Sequence, residues 1–285
     1  MTSDQGPSLV PGPAARSRAK QRLSAVLVVL AVFVAAGTLE VSVLRIGLPG
    51  TPTQIAIPVA SSRADGLVTN EFAHWNPTNP SRVVSPDWDM TSGSLFAHDG
   101  NGWTGVPDDV PPNATSSNGN DSVVFRLNTT RDDFGDVAVS FDLQNDGLVE
   151  TPRTPAQAYD GVHVWLRYQS QYELYALSVN RRDGEAAIKK KVPGGPDPSN
   201  GGTYYDLVPE RRIPVPYGSW QRVRATARTI RPDAVEIELY VDGNLVLSAV
   251  DDGKMGGPPI TQNGAVGIRG DNCEFEFKNF TIAPI

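Results

Sequence analysis

The chain has 285 residues, with 25 Lys/Arg against 32 Asp/Glu and a formal charge of −7. Residues 66–285 alone hold 19 basic and 29 acidic side chains, a balance that repels nucleic acid and gives no general attraction to anionic lipid. A single cysteine, Cys273, excludes an internal disulfide, and three widely spaced histidines, His74, His98 and His163, do not make a zinc motif.

The N-terminus reads as a targeting or anchoring device. "RSRAKQR" (16–22) is basic, and "LSAVLVVLAVFVAAGTL" (23–39) follows without a charge. As a helix the second stretch spans ~25 Å at ~1.5 Å per residue, just short of a hydrocarbon core of ~30 Å. The extension "EVSVLRIGL" completes the span, giving a cytoplasmic tail (1–22), a transmembrane anchor (23–46) and an outside C-terminal domain. The rival reading is a signal peptide ending near Ala36, which makes the protein secreted. Residues 47–65 are rich in Gly, Pro and Ser and read as a stalk, from which "IAIPV" can add an edge strand.

From residue 66 onward the pattern is β throughout. Strands are expected at 122–127, 137–143, 161–168, 172–180, 186–192, 220–228, 235–241, 245–250, 265–270 and 273–282, with longer loops at 99–120, 144–160 and 193–218. In "VEIELYVDGNLVLSAV" (235–250), Val235, Ile237 and Leu239 share one face. A three-residue loop, Asp242-Gly243-Asn244, pairs Val241 with Leu245 and Leu239 with Leu247, with Asn244 left-handed. Leu239 and Phe277 are expected in the core, and Cys273 beside "FEF" as a buried packing residue. "KKK" (189–191) is expected at a solvated strand edge, with contact to an anionic glycan as the lesser alternative.

"GSWQRVRATART", "VEIELYVDGNLVLSAVDDG" and "GAVGIRGDNCEFEFKNFTI" together resemble the C-terminal half of concanavalin A-like lectin/glucanase domains, in their laminin-G-like and 3-keto-disaccharide-hydrolase-like branches. "DWDMTSGSLFAHDGNGW" (87–103) resembles their opening strand pair, and "DGVHVWLRYQSQYELYALSVNRRDG" (160–184) their central strands. The resemblance implies an all-β, two-sheet jelly-roll sandwich behind one N-terminal transmembrane helix. It implies less about activity, because such domains include lectins, glycosidases and adhesion modules.

Catalytic motifs are absent. The laminarinase-type string E-x-D-x-x-E does not occur; "EIE" (236–238) and "EFE" (274–276) read as outer faces of strands. Two acids distant in sequence, such as Asp160 with Glu173, remain a candidate pair for hydrolysis. "GNGWTG" (100–105) lacks a following helix and reads as a turn. No cofactor is expected, apart from a structural calcium ion for which Asp87/Asp89, Asp251/Asp252 and Asp271 are candidates.

Aromatic and polar side chains carry the functional reading. Alternation along "GVHVWLRY" sets Val162, Val164 and Leu166 towards the core and His163, Trp165 and Arg167 on the opposite, ligand-facing side. Trp165 offers a ring for sugar stacking and Arg167 a forked donor. Tyr204 and Tyr205 in "SNGGTYYD" overhang that face, and Trp103 is a further candidate. The expected function is a membrane-tethered, extracytoplasmic module that binds a polysaccharide or other glycan, with the lipid bilayer as second partner and no nucleic acid. Alternatives are an exported glycoside hydrolase or polysaccharide lyase of the same fold, or a surface that binds another protein.

Overall fold

Alternating apolar residues become two antiparallel sheets packed face to face. The computed structural model describes residues 54–56, 65–107, 123–197 and 201–285. The basic tail and the apolar run 23–46 lie outside the described residues; among those described, no helix is long and apolar enough to cross a membrane. In chain order the elements are β1 (Ile55–Ala56), β2 (Gly66–Asn70), α1 (Phe72–Trp75), β3 (Trp88–Ser92), β4 (Ser94–His98), β5 (Asn101–Trp103) and β6 (Val124–Thr129). There follow β7 (Val137–Leu148), β8 (Gly161–Ser170), β9 (Glu173–Val179), β10 (Glu185–Pro193), β11 (Gly202–Asp206) and β12 (Arg211–Arg212). The last are β13 (Gln221–Arg231), β14 (Ala234–Val241), β15 (Asn244–Asp251), β16 (Ala265–Asp271) and β17 (Cys273–Pro284). The loop expected at 193–218 therefore holds two further strands, β11 and β12.

The nine-stranded sheet runs β15-β14-β13-β7-β17-β5-β4-β2, with β1 added to β17. The eight-stranded sheet runs β11-β10-β9-β8-β16-β6-β3, with β12 added to β10. β5 covers β17 only at Glu276 and Phe277, and β1 pairs further along, at Thr281 and Ile282. That is the extra strand "IAIPV" suggested, of which Ile55–Ala56 is described.

The inner faces form one apolar core. Val162, Val164 and Leu166 of β8 meet Phe141, Ile237, Leu239 and Phe277 from the other sheet, all buried. Rings interlock there: Trp88 is edge-on to Phe280 at 5.1 Å, and Phe141 stacks on Phe280 at 5.7 Å. Cys273 is buried beside this core, its Sγ donating to the Gly161 carbonyl at 3.3 Å. Burial pushes its thiol well above the ordinary cysteine range.

The β14–β15 hairpin corrects the expected loop and half of its register. Leu239 faces Leu247 as expected, but Val241 faces Asn244, and the ladder shifts between Leu239 and Tyr240. The turn is the two-residue Asp242-Gly243, both left-handed at φ 51 and 79, so Asp242 rather than Asn244 takes the strained position. A bulge at Val246 absorbs the odd residue and returns Leu247 and Ala249 to the core face.

"KKK" is also corrected. β10 lies between β9 and β11, so it is not an edge, and Lys190 and Lys191 are both buried. Lys190 points between the sheets to Asp251, 2.9 Å away, and donates to the carbonyls of Gly257 and Pro258. Tyr175 Oη donates to the same carboxylate at 2.8 Å and accepts the Ile260 amide at 2.9 Å. Here a saturated polar network, rather than solvent, compensates a buried lysine.

Candidate functional site

The outer face of the eight-stranded sheet carries a cavity of about 240 Å³. Its floor is built from alternate residues of adjacent strands, His163 and Trp165 on β8, Ala176 and Ser178 on β9, and Arg269 and Asp271 on β16. Lys189 on β10 and Tyr204 on β11 line it too, and Tyr159 and Arg181 come from the segments flanking β8 and β9. The ladders place these side by side: Ser178 faces His163, His163 faces Arg269, and Ala176 faces Trp165.

Of the six residues named from the sequence, His163, Trp165 and Tyr204 line this cavity, whereas Arg167, Tyr205 and Trp103 do not. Arg167 departs from the expected face because β8 is irregular there. Trp165 pairs with Gly267 but Tyr168 with Ala265, leaving one extra residue on β8, and Arg167 is left-handed at φ 48. The bulge turns Arg167 inward, where it is fully buried and donates to the carbonyls of Ile260 and Gly135, the Asp136 carboxylate and the Thr229 hydroxyl. It ties the two sheets together. Tyr168 takes the outer position instead, its ring stacked on Trp165 at 5.2 Å. Tyr205 alternates away from Tyr204 and lies against Gly256, where a Cβ would meet its ring at 2.6 Å. Trp103 belongs to the other sheet, its indole N–H donating to Glu274.

A chain of charge crosses the cavity floor. Arg269 Nη2 donates to Asp271 Oδ1 at 2.8 Å, and its Nε lies 2.7 Å from Oδ2. His163 Nε2 lies 3.2 Å from the same carboxylate, and His163 Nδ1 is 2.7 Å from the Ser178 hydroxyl. Burial opposes ionisation of Asp271, but the Arg269 charge and the His163 contact outweigh it and hold the carboxyl well below its usual range. Burial also lowers the His163 pKa against the pull of Asp271, which favours the neutral ring near neutral pH. Arg269 Nη1 donates to the Tyr204 hydroxyl at 3.3 Å, and its guanidinium sits 6.0 Å from the Trp165 ring centre. Among the described residues, the buried Trp165 indole N–H finds no hydrogen-bond partner.

The carboxylates proposed from the sequence for calcium or hydrolysis are mostly engaged by the protein itself. Asp89 is held by His74, Asp251 by Lys190, Asp252 by Lys254 and Asp271 by Arg269. Asp160 is buried on Arg182 and Asn272, next to Gly161 at the start of β8, whereas Glu173 opposes Ser170 at its far end. The two acids therefore do not face each other across a substrate. Among the described residues, Asp183, Glu185 and Glu210 bring oxygens within 4.8 Å of one another, a grouping of the kind that can hold a cation. Arg181 and Lys189 already pair with members of that group.

Sequence reading missed Tyr159, Ser178, Arg181 and Arg269 in this cavity, and reached Lys189 only through the lesser alternative for "KKK". Alternation carried a signal for two of them, since Lys189 shares a face with Lys191, and Arg269 with Asp271. Their convergence on β8 depends on strand order, which alternation does not report.

No family model and no curated protein matches the chain. Solved structures with a similar backbone include a Bacillus subtilis protein of unknown function with a galectin-like fold, 12% identical, covering 69% of this chain and 88% of that one at a TM-score of 0.44. The metal-free carbohydrate recognition domain of Emp46p is 9% identical and covers 76% of this chain and 94% of its own at 0.45. The alginate lyase Aly36B is 8% identical and covers 83% and 98% at 0.44. The two-sheet sandwich itself is established by the strand pairing described above.

Proposed function

We propose that the domain is a carbohydrate-binding module whose site is the cavity over Trp165. The observation that carries this reading is an aromatic wall of Trp165, Tyr204 and Tyr159 set beside hydrogen-bonding groups on a strand floor, with the indole N–H of Trp165 buried and unpaired among the described residues. Rings stack on the C–H face of a sugar while polar neighbours bond its hydroxyls. The volume suits one ring of a chain more than a long segment. Residues 23–46 tether the module to a membrane and place it outside the cytoplasm. Calcium is not needed at this cavity, because Arg269 already neutralises its carboxylate.

A hydrolase with two opposed carboxyls is the weaker reading, since Asp271 is the sole carboxylate lining the cavity among the described residues and it is committed to Arg269 and His163. A lyase keeps some support from Lys191, whose amine is brought down to about 8, chiefly by burial and then by Arg269 and Arg126. A glycan array probed with the detergent-solubilised full chain tests the proposal, with each hit assayed for cleavage. Binding should be lost in Trp165→Ala and reduced in Trp165→Phe. No glycan bound by the folded wild-type protein refutes it.

A further inference from the structure

The floor of the cavity continues into a patch whose charge does not balance. Within "KKK", Lys189 pairs with Asp206 and Glu210, and Lys190 with Asp251. Lys191 has no carboxylate within ion-pair distance among the described residues, although it is 98% buried (2% exposed). Its amine lies 4.9 Å from the centre of the Tyr204 ring and 5.6 Å from that of Tyr172, contacts that offset part of the cost of burying it but accept none of its three N–H donors in a strong hydrogen bond.

Arg126 on β6, half-buried, likewise has no carboxylate within ion-pair distance among the described residues. It donates from Nη1 to the neutral Gln171 amide oxygen at 3.2 Å, and its buried Nε has no hydrogen-bond partner among the described residues. It stands directly opposite Arg269 in the β6–β16 ladder, an arrangement that is destabilising for like charges unless something negative lies near. Gln171 in turn donates to the hydroxyl of Tyr172 at 2.7 Å, the tyrosine whose ring Lys191 faces. Beyond the cations that Asp206, Asp183 and Glu210 already pair, Arg126, Lys191 and Arg269 share this face, and among the described residues Asp271 is the one carboxylate in an ion pair with any of the three, in a domain that is acidic as a whole. Burial and the Arg269 charge press both Arg126 and Lys191 towards losing their protons. A stable fold has no use for that repulsion, whereas an incoming anion relieves it.

We infer that the bound glycan is acidic, and that its negative group is received by Lys191 and Arg126 beside Arg269 on the outer face of the sheet. The inference rests on the carbohydrate reading above and specifies the ligand class for it. The anionic group is a carboxylate, as in a uronic acid, or an ester sulfate; both offer oxygens to the same donors.

The test is calorimetric titration of the full chain in detergent with three ligands: a polyuronate oligosaccharide, the same oligosaccharide with its carboxyls reduced to alcohols, and a sulfated oligosaccharide. At least one acidic ligand should bind about tenfold or more tighter than the reduced one, the equivalent of one charge-assisted hydrogen bond. The uronate and sulfate arms tell which group is preferred. Added salt should shrink the difference, and Lys191→Met and Arg126→Met should each lower affinity for the acidic ligand. Equal affinity for acidic and reduced ligands overturns the inference and leaves the carbohydrate reading standing. Binding of none of the three, with no neutral hit on the array either, overturns both. The wild-type titrations decide the matter even where a variant fails to fold.

Discussion

Replacing Arg167 by Met should cost stability and spare the ligand site. The side chain is fully buried and spends its donors on Ile260 O at 2.7 Å, Asp136 Oδ1 at 2.7 Å, Thr229 Oγ1 at 2.8 Å and, more weakly, Gly135 O at 3.4 Å. The Asp136 side chain is 38% exposed, so water can replace much of what it loses and the ion pair itself contributes little. The Ile260 carbonyl has no such recourse, because Ile260 is buried, and an orphaned buried acceptor costs ~1–3 kcal/mol. Adding the Thr229 hydroxyl and the lost tie between sheets gives ~2–4 kcal/mol, the range for breaking a buried hydrogen-bond network. That is a large share of the ~5–15 kcal/mol by which domains are stable. Urea unfolding, followed by tryptophan fluorescence, measures it, with glycan affinity of the folded variant measured in parallel. A loss below ~1 kcal/mol accompanied by loss of binding would put the guanidinium in the ligand site and refute the bulge argument.

Leu239→Ala and Phe277→Ala should each destabilise by ~2–5 kcal/mol in the same assay, as deletions from a close-packed core do; below ~0.5 kcal/mol at both, the face assignment fails. Lys191 loses its charge as pH rises through about 8, so affinity for an acidic glycan should fall across that range while affinity for a neutral one holds; parallel pH profiles for the two ligands would contradict this. Because the folded-state value lies below that of an unfolded lysine, the unliganded domain should gain stability as pH rises from about 8 towards the ordinary lysine value, which unfolding midpoints across that interval report. Protease added to intact cells should remove the domain and leave a membrane stub; a free mature protein beginning near Gly37 would show a cleaved signal instead.

Much of the sandwich was legible because its strands obey a period of two. The core face of β8, the pairing of Leu239 with Leu247 and the burial of Phe277 follow from that period, and the burial of Cys273 from the habit of a free cysteine beside aromatic residues. What failed did so where the period breaks or where strand order decides. The bulge at Arg167 inverts one side chain, and nothing in "WLRYQ" announces a left-handed arginine. The bulge at Val246 does the same service for the hairpin in the opposite sense, letting a shorter turn keep the expected pairing of Leu239 with Leu247 while Val241 moves to Asn244. "KKK" looks like a solvated edge until topology places β11 beside β10 and β15 beneath it.

Asp271 shows how the site's chemistry follows from that topology. Read from the sequence, it was a candidate calcium ligand; in the fold it is flanked by Arg269 and His163, two residues with which it shares the outer face. Held ionised by Arg269, it is poorly suited to act as a proton donor in glycoside cleavage, while burial, against its pull, leaves His163 favouring its neutral form, able to accept or donate one hydrogen bond. Its remaining effect is positional. By binding the Nε–Nη2 side of Arg269, it turns Nη1 towards Tyr204 and sets the guanidinium over Trp165. An arginine so fixed loses little rotamer freedom when a ligand arrives. Lys191 and Arg126 are not neutralised in this way, and the contrast is the reason to assign the anionic part of a ligand to them rather than to Arg269.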